Sequence, residues 1–141
     1  MAALTFSLRT TRNHPLILGK GGFGRQLADW LAEDGWGNAV FLDDNAPDCA
    51  GKLRDFADPA LLKPGRPAFV ALGDNELRVT LLQKLAAAGY DTPVYISDAA
   101  SVSPSAVLEP GCVVLPQAYV GAGAHLGAGC IVNGGAIVDH D

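Results

Sequence analysis

The sequence predicts an α/β chain in two parts: a small parallel sheet, then a short left-handed parallel β-helix of six-residue repeats. Three observations predict it. Seven aliphatic residues stand six apart, at Val102, Leu108, Val114, Val120, Leu126, Val132 and Val138. Four positions after each of the first six comes a small residue: Ala106, Cys112, Ala118, Ala124, Cys130 and Ala136. Upstream of the repeats, short apolar runs alternate with amphipathic helical stretches, the pattern of parallel strands joined by right-handed crossovers. A six-residue period fits neither a helix nor a flat strand. It fits a triangular coil of three hexads, with the aliphatic side chain inside, the small one at the corner and glycine where φ is positive.

Composition bounds the function. At 141 residues, 49% hydrophobic and only 18% charged, the chain has enough apolar material for a modest core. No apolar run has the length of a membrane span, so no membrane partner is expected. A net charge of −5 gives no electrostatic footprint for nucleic acid. Three cysteines, without paired spacing, suggest a reducing, cytoplasmic compartment. Cys112 and Cys130 are one coil apart, which stacks them in neighbouring rungs at about 4.8 Å with parallel Cβ directions, a poor disulfide geometry. They read as corner fillers, and no metal site is expected.

Residues 1–14 carry Arg9, Arg12 and no acid, and read as a tail, with a faint likeness to an organellar transit peptide. A sheet domain is expected over 15–98 and an incomplete β-helix over 99–141. Residues 15–18 (Pro-Leu-Ile-Leu) form a first buried strand. It runs into Gly19, Lys20, Gly21, Gly22, Phe23 and Gly24, which satisfies G-x-G-x-x-G, and then into a helix to about Glu33 with Leu27, Trp30 and Leu31 on one face. Residues 39–42 form a second strand closing in Asp43 and Asp44, where a Rossmann-like domain places its ribose-binding acid. The glycines let a phosphate approach the backbone, and the helix N-terminus offers N–H groups and partial positive charge.

Residues 67–72 form a third strand ending in Gly73, Asp74 and Asn75. The helix that follows places Leu77, Leu81 and Leu85 on one face and stops at Gly89. Residues 92–96 read as a fourth, edge-like strand of the sheet. Ligands on such sheets sit at the C-terminal strand ends, which gather the glycine loop, the acidic pair and residues 73–75. Structural readings stand beside these: the glycines also suit a tight turn, the two acids a solvated turn, and Asp74 or Asn75 a helix N-cap. His14 and His125 read as exposed.

Four stretches carry a resemblance: residues 18–24 (Leu-Gly-Lys-Gly-Gly-Phe-Gly), 41–44 (Phe-Leu-Asp-Asp), 71–78 (Ala-Leu-Gly-Asp-Asn-Glu-Leu-Arg) and 133–141 (Asn-Gly-Gly-Ala-Ile-Val-Asp-His-Asp). Followed by hexapeptide repeats, they resemble the acyltransferases that acetylate amino sugars on sugar nucleotides, a family that includes bacillosamine-type N-acetyltransferases and sialic-acid O-acetyltransferase-like proteins. The resemblance implies an acetyl-CoA-dependent acetyltransferase acting on a UDP-linked amino sugar in cell-surface glycan biosynthesis, assembled as a homotrimer. It places the diphosphate and sugar near Gly19, Gly21, Gly22, Phe23, Gly24, Gly73, Asp74 and Asn75, and the nucleoside near Asp43 and Asp44. Where the family often carries a histidine after the glycine pair, this chain has Phe23, so that polar contact is lost.

The resemblance also implies that His140 is the general base, oriented by Asp141, with Asn133 in the acceptor site. Imidazole chemistry suits the role, because an amine attacking a thioester must lose a proton near neutral pH. In the family further coils follow this motif and build the acetyl-CoA groove between subunits. The sequence ends after two full coils and part of a third. The 141 residues alone are therefore expected to bind the nucleotide sugar without transferring acetyl, which makes a non-catalytic binding module the alternative reading. A dinucleotide-binding fragment fits the glycine loop alone but not the repeats.

Overall fold

The computed structural model describes residues 14–141, so the expected tail lies outside the described residues except for His14. The chain divides into two compact units, Met1–Thr92 and Pro93–Asp141.

In the first unit three short strands, β1 (Leu16–Leu18), β2 (Val40–Leu42) and β3 (Ala68–Val70), form a parallel sheet in the order β2-β1-β3. Leu16 is in register with Val40 on one side and Ala68 on the other. β1 is central and wholly buried, which is why its run is apolar on both faces rather than alternating. One face of the sheet packs Leu16, Leu18, Leu42 and Val70 against α2 (Asn75–Ala87), with the 3-10 turn Leu53–Ala57 beside it through Leu53 and Phe56. Elsewhere in the unit α1 (Gly22–Glu33) buries Gly24, Leu27 and Leu31, and Trp36 meets Phe69 edge-on at 5.5 Å.

Two expectations are corrected. Leu77 does not share the buried face of α2: it is 42% exposed, and the buried residues are Arg78, Leu81, Leu82 and Leu85. Leu77 sits in the first turn, where the neighbouring 3-10 turn leaves a groove instead of a core. Nor does the fourth strand join the sheet. Its ordered part, β4 (Tyr95–Ile96), pairs with β7 (Val113–Val114) in the second unit. Pro93 lacks the N–H that an inner strand needs. The hexad phase also runs further back than Val102: Ile96 occupies the aliphatic phase and Val94 the corner phase, and Val94 packs on the β-helix core.

The second unit is a β-helix. After β4 come β5 (Ser101–Val102), β6 (Val107–Leu108), β7, β8 (Tyr119–Val120), β9 (His125–Leu126), β10 (Ile131–Val132) and β11 (Ile137–Val138). They stack as β4-β7-β10, β5-β8-β11 and β6-β9, and every paired residue is one coil from its partner: Val102 with Val120, Leu108 with Leu126, Val114 with Val132. The interior holds Val114, Val120, Leu126 and Val132, with Cys112, Ala118 and Ala124 filling corners. Each fully buried aliphatic side chain contributes on the order of 1.5–3 kcal/mol, and the stack accumulates it rung by rung. From Leu108 onward the third residue after each aliphatic one turns the corner with positive φ: Gly111, Gly123, Gly129 and Gly135 at 72–79°, Gln117 at 62° and Asp141 at 56°.

Candidate functional site

Parallel pairing puts the ends of β1, β2 and β3 on one edge of the sheet, and the predicted loops meet there. Gly19 leaves β1 with φ 103° and donates its N–H to Leu42 O at 2.8 Å. A Cβ on Gly19 would stand 2.6 Å from Ala71 O, and one on Gly24 would overlap Gly19 O, so these two glycines let the loop fold against β3 and α1 start beneath it. Gly21 and Gly22 differ. A Cβ on either would meet nothing within 4 Å. Gly21 is the N-cap of α1 in an extended conformation, and no side chain caps the first-turn N–H groups. An open backbone at an uncapped helix N-terminus is a seat for an anion. Phe23, half-buried, brings no hydrogen-bonding group to it.

Asp43 is bound into this loop. Its Oδ2 accepts from Lys20 N–H at 2.7 Å, and its Oδ1 accepts from the N–H groups of Asn45 and Ala46, both at 2.8 Å. These three donors, Lys20 first, hold its carboxyl below the usual carboxylate range. Asp44 Oδ1 accepts from Leu53 N–H at 3.0 Å, and its carbonyl takes the Lys52 ammonium at 2.6 Å. The acids therefore order the turn that the structural reading anticipated, and each keeps acceptor capacity beyond it. Lys20, between the glycines, was not singled out in the sequence; its ammonium meets the Pro47 and Asp48 carbonyls, at 3.2 and 3.1 Å, and stands 5.5 Å from the centre of the Phe41 ring.

At the third strand end, Asp74 is the N-cap of α2, accepting from Leu77 N–H at 2.9 Å, and Gly73 has open space at its Cβ position. The buried Arg78 donates to Leu72 O at 2.8 Å and to Asn75 Oδ1 at 2.7 Å. That bond turns the Asn75 amide nitrogen outward as a donor. Its signal in the sequence was a charged residue one helical turn after Asn75.

In the second unit His140 and Asp141 follow β11. His140 Nδ1 lies 2.9 Å from Asp141 Oδ2 and its main-chain N–H donates to Asp139 Oδ1 at 2.7 Å. A carboxylate only accepts, so in a neutral ring this contact places the proton on Nδ1 and leaves the lone pair to Nε2, which stands 4.0 Å from Asp139 Oδ1. Two glycines one coil below seat this pair: a Cβ on Gly121 would lie 2.6 Å from His140 N, and one on Gly123 the same distance from Asp141 Oδ1. In the sequence both stand only as glycines at turns of the repeat. Asn133 follows β10 and so stands at a different corner of its own prism from His140, its Oδ1 accepting from Gly134 N–H at 3.0 Å. His125 is exposed and reaches Glu109 at 2.8 Å across the coils. Among the described residues no group of three metal-ligating side chains occurs, and no helix is long and apolar enough to cross a membrane.

Residues 16–85 match the PglD N-terminal domain family. Those residues of the chain thus form a domain similar to the PglD N-terminal domain. The match spans the whole sheet, the glycine loop and most of α2. Solved structures extend the likeness through the β-helix. The acetyltransferase domain of PglB from Neisseria gonorrhoeae FA1090, in complex with acetyl coenzyme A, is 37% identical with a TM-score of 0.81, over 92% of this chain and 65% of that one. PerB from Caulobacter crescentus in complex with CoA and GDP-perosamine is 30% identical with a TM-score of 0.78, over 91% and 63%. A histidine-to-alanine mutant of GDP-perosamine N-acetyl transferase from Caulobacter crescentus, also with CoA and GDP-perosamine, gives 28% and 0.82 over the same shares. The PglD-type chain thus spans less than two thirds of the length of these structures. Among curated proteins none matches it. The fold class read from the sequence, a Rossmann-like sheet followed by a hexapeptide β-helix, is the fold of these acetyltransferases.

Proposed function

We propose that the chain acts in acetyl transfer from acetyl-CoA to the amine of a UDP-linked sugar, with its first unit holding the nucleotide sugar and His140 acting as general base. The observation that carries the reading is the open, uncapped backbone at Gly21 and Gly22 beside two glycines that have no room for a side chain. The diphosphate seats on that N-terminus, Asn75 adds a donor, and Asp43 and Asp44 face the nucleoside. Gly73 leaves room for the sugar and Asp74 holds the turn. Asn133 belongs to the acceptor site.

In the transfer step the sugar amine attacks the thioester carbonyl, and His140 Nε2 takes the proton that the nitrogen loses. The tetrahedral intermediate then expels the CoA thiolate, and the N–C bond replaces the C–S bond. Asp141 holds the ring in the tautomer this requires. CoA or acetyl-CoA and a nucleotide amino sugar are bound in the neighbouring structures, two of which are single-histidine mutants. Exposed Tyr119 and Ile137, opposite each other on one outer face of the prism, support a homotrimer that covers them. Three free thiols support a reducing, cytoplasmic setting.

Titration calorimetry with a UDP-amino sugar, UDP and NAD tests the reading. UDP compounds should bind more tightly than NAD, and a preference for NAD would overturn the assignment.

A further inference from the structure

Arg78 is a buried cation to which the transfer reaction gives no part. It is 7% exposed, on the face of α2 that also buries Leu81, Leu82 and Leu85. Taking a guanidinium out of water is costly unless its donors are satisfied in a fixed geometry. Two of those donors go to the end of β3: Nη1 donates to Leu72 O at 2.8 Å and Nη2 to Asn75 Oδ1 at 2.7 Å. The fork ties the loop after the strand to the first turn of α2. Residues 75 and 78 are three apart on one helix, so their side chains meet without any bend in the chain. The neighbouring Asp74 is already committed, its Oδ1 capping Leu77 N–H at 2.9 Å. Asn75 itself is exposed, and Gly73 near it leaves open space at its Cβ position.

We infer that Arg78 is a positioning residue. By holding the Asn75 amide with its oxygen inward and its N–H groups outward, it makes the end of β3 select a ligand group that only accepts hydrogen bonds, an ionised phosphate oxygen. The inference rests on the nucleotide-sugar reading of the glycine loop. An unheld asparagine is indifferent, because half a turn of its amide exchanges a donor for an acceptor. A guanidinium has five N–H donors and no acceptor, so only Oδ1 can face it. The same bond draws electron density toward Oδ1 and leaves the outward N–H groups more strongly donating. Lysine does not replace it: a compact ammonium lacks the planar fork that spans Leu72 O and Asn75 Oδ1 together. Arg78 stays beneath the surface and acts through Asn75.

The test is calorimetric titration with UDP of the wild-type chain, Asn75→Ala, Asn75→Asp, Arg78→Lys and the Asn75→Ala/Arg78→Lys double variant, with the thermal midpoint of each. Asn75→Ala removes one hydrogen bond to a charged oxygen and should weaken UDP about tenfold. Asn75→Asp gives Arg78 an ion-pair partner, so its midpoint should hold or rise. Its outward oxygen meets the diphosphate as a like charge, so UDP should bind still more weakly than to Asn75→Ala. Arg78→Lys should weaken UDP roughly threefold to tenfold when Asn75 is present, and leave the affinity of Asn75→Ala unchanged. A residue that only held the fold would weaken both backgrounds alike, and that result overturns the inference. Asn75→Asp binding UDP as tightly as wild type overturns it too, and decides the matter alone if Arg78→Lys does not fold. Either result leaves the glycine-loop reading intact. If the wild-type chain binds no UDP, that reading falls, and the role of Arg78 with it.

Discussion

Four glycines in six residues look interchangeable in a motif, and the structure separates them by what surrounds each missing side chain. Gly24→Ala forces a methyl into the Gly19 carbonyl, backbone against backbone, and should cost on the order of 1–3 kcal/mol or prevent folding. Gly21→Val meets open space in an extended conformation that valine accepts, so the thermal midpoint should stay within a few degrees while nucleotide affinity falls at least about tenfold. Unchanged affinity in a folded Gly21→Val protein would return the loop to a purely structural role. Asp43 provides a second check at this scale. Three N–H donors stabilise its carboxylate, so its folded pKa lies below the unfolded value of about 3.9. That stabilisation is complete above the unfolded value and is lost as pH falls through the folded one. Denaturant unfolding of wild type and Asp43→Asn should therefore differ at pH 7, by about 1 kcal/mol for the weakened hydrogen bonds, and converge as pH falls through the folded value.

At the scale of elements, the repeats were legible because one residue type recurs in one phase, and a register of one coil follows from a period of six with no further information. The fourth strand was misassigned for the complementary reason. An apolar pair such as Tyr95 and Ile96 fits a sheet edge as well as a coil, and only the phase shared by Ile96 with Val102 separates the two. Candidate site residues could be read where a motif names them, at the glycine loop and at His140. They were hidden where one coil acts on the next, because Gly121 lies far from His140 in sequence and directly beneath it in space. The Gly121 contact gives a prediction. Gly121→Ala must move the His140 backbone by a fraction of an ångström or more, and in a form that carries the further coils misplacement of that order should lower acetyl transfer by up to about 10²-fold. Nucleotide affinity, which depends on the other unit, should not change. Full transfer activity in Gly121→Ala would show that His140 needs no such seat.

For the molecule as a whole, the proposed function divides the work between the two units: one would recognise, the other would move a proton. The glycine loop and its strand ends make only contacts that are available before reaction, so they lower the free energy of the bound sugar nucleotide and of the transition state together. His140 Nε2 has nothing to accept until the amine attacks, so its contribution appears only in the transition state. Substitutions in the two units should therefore separate kinetically. In an acetyl-transfer assay with a UDP-amino sugar, run on a form that carries the further coils, His140→Ala should lower kcat by roughly 10²–10⁴-fold with the calorimetric Kd for the nucleotide sugar nearly unchanged. Gly21→Val should raise KM and Kd together and leave kcat within a small factor. The two positions share no hydrogen-bond partner, so the double variant should lose the product of the two effects on kcat/KM. His140→Ala with wild-type kcat would take the imidazole out of the mechanism. A double variant no worse than His140→Ala alone would show that the residual reaction no longer uses a sugar nucleotide held at the glycine loop, and the division of labour between the units would have to be abandoned.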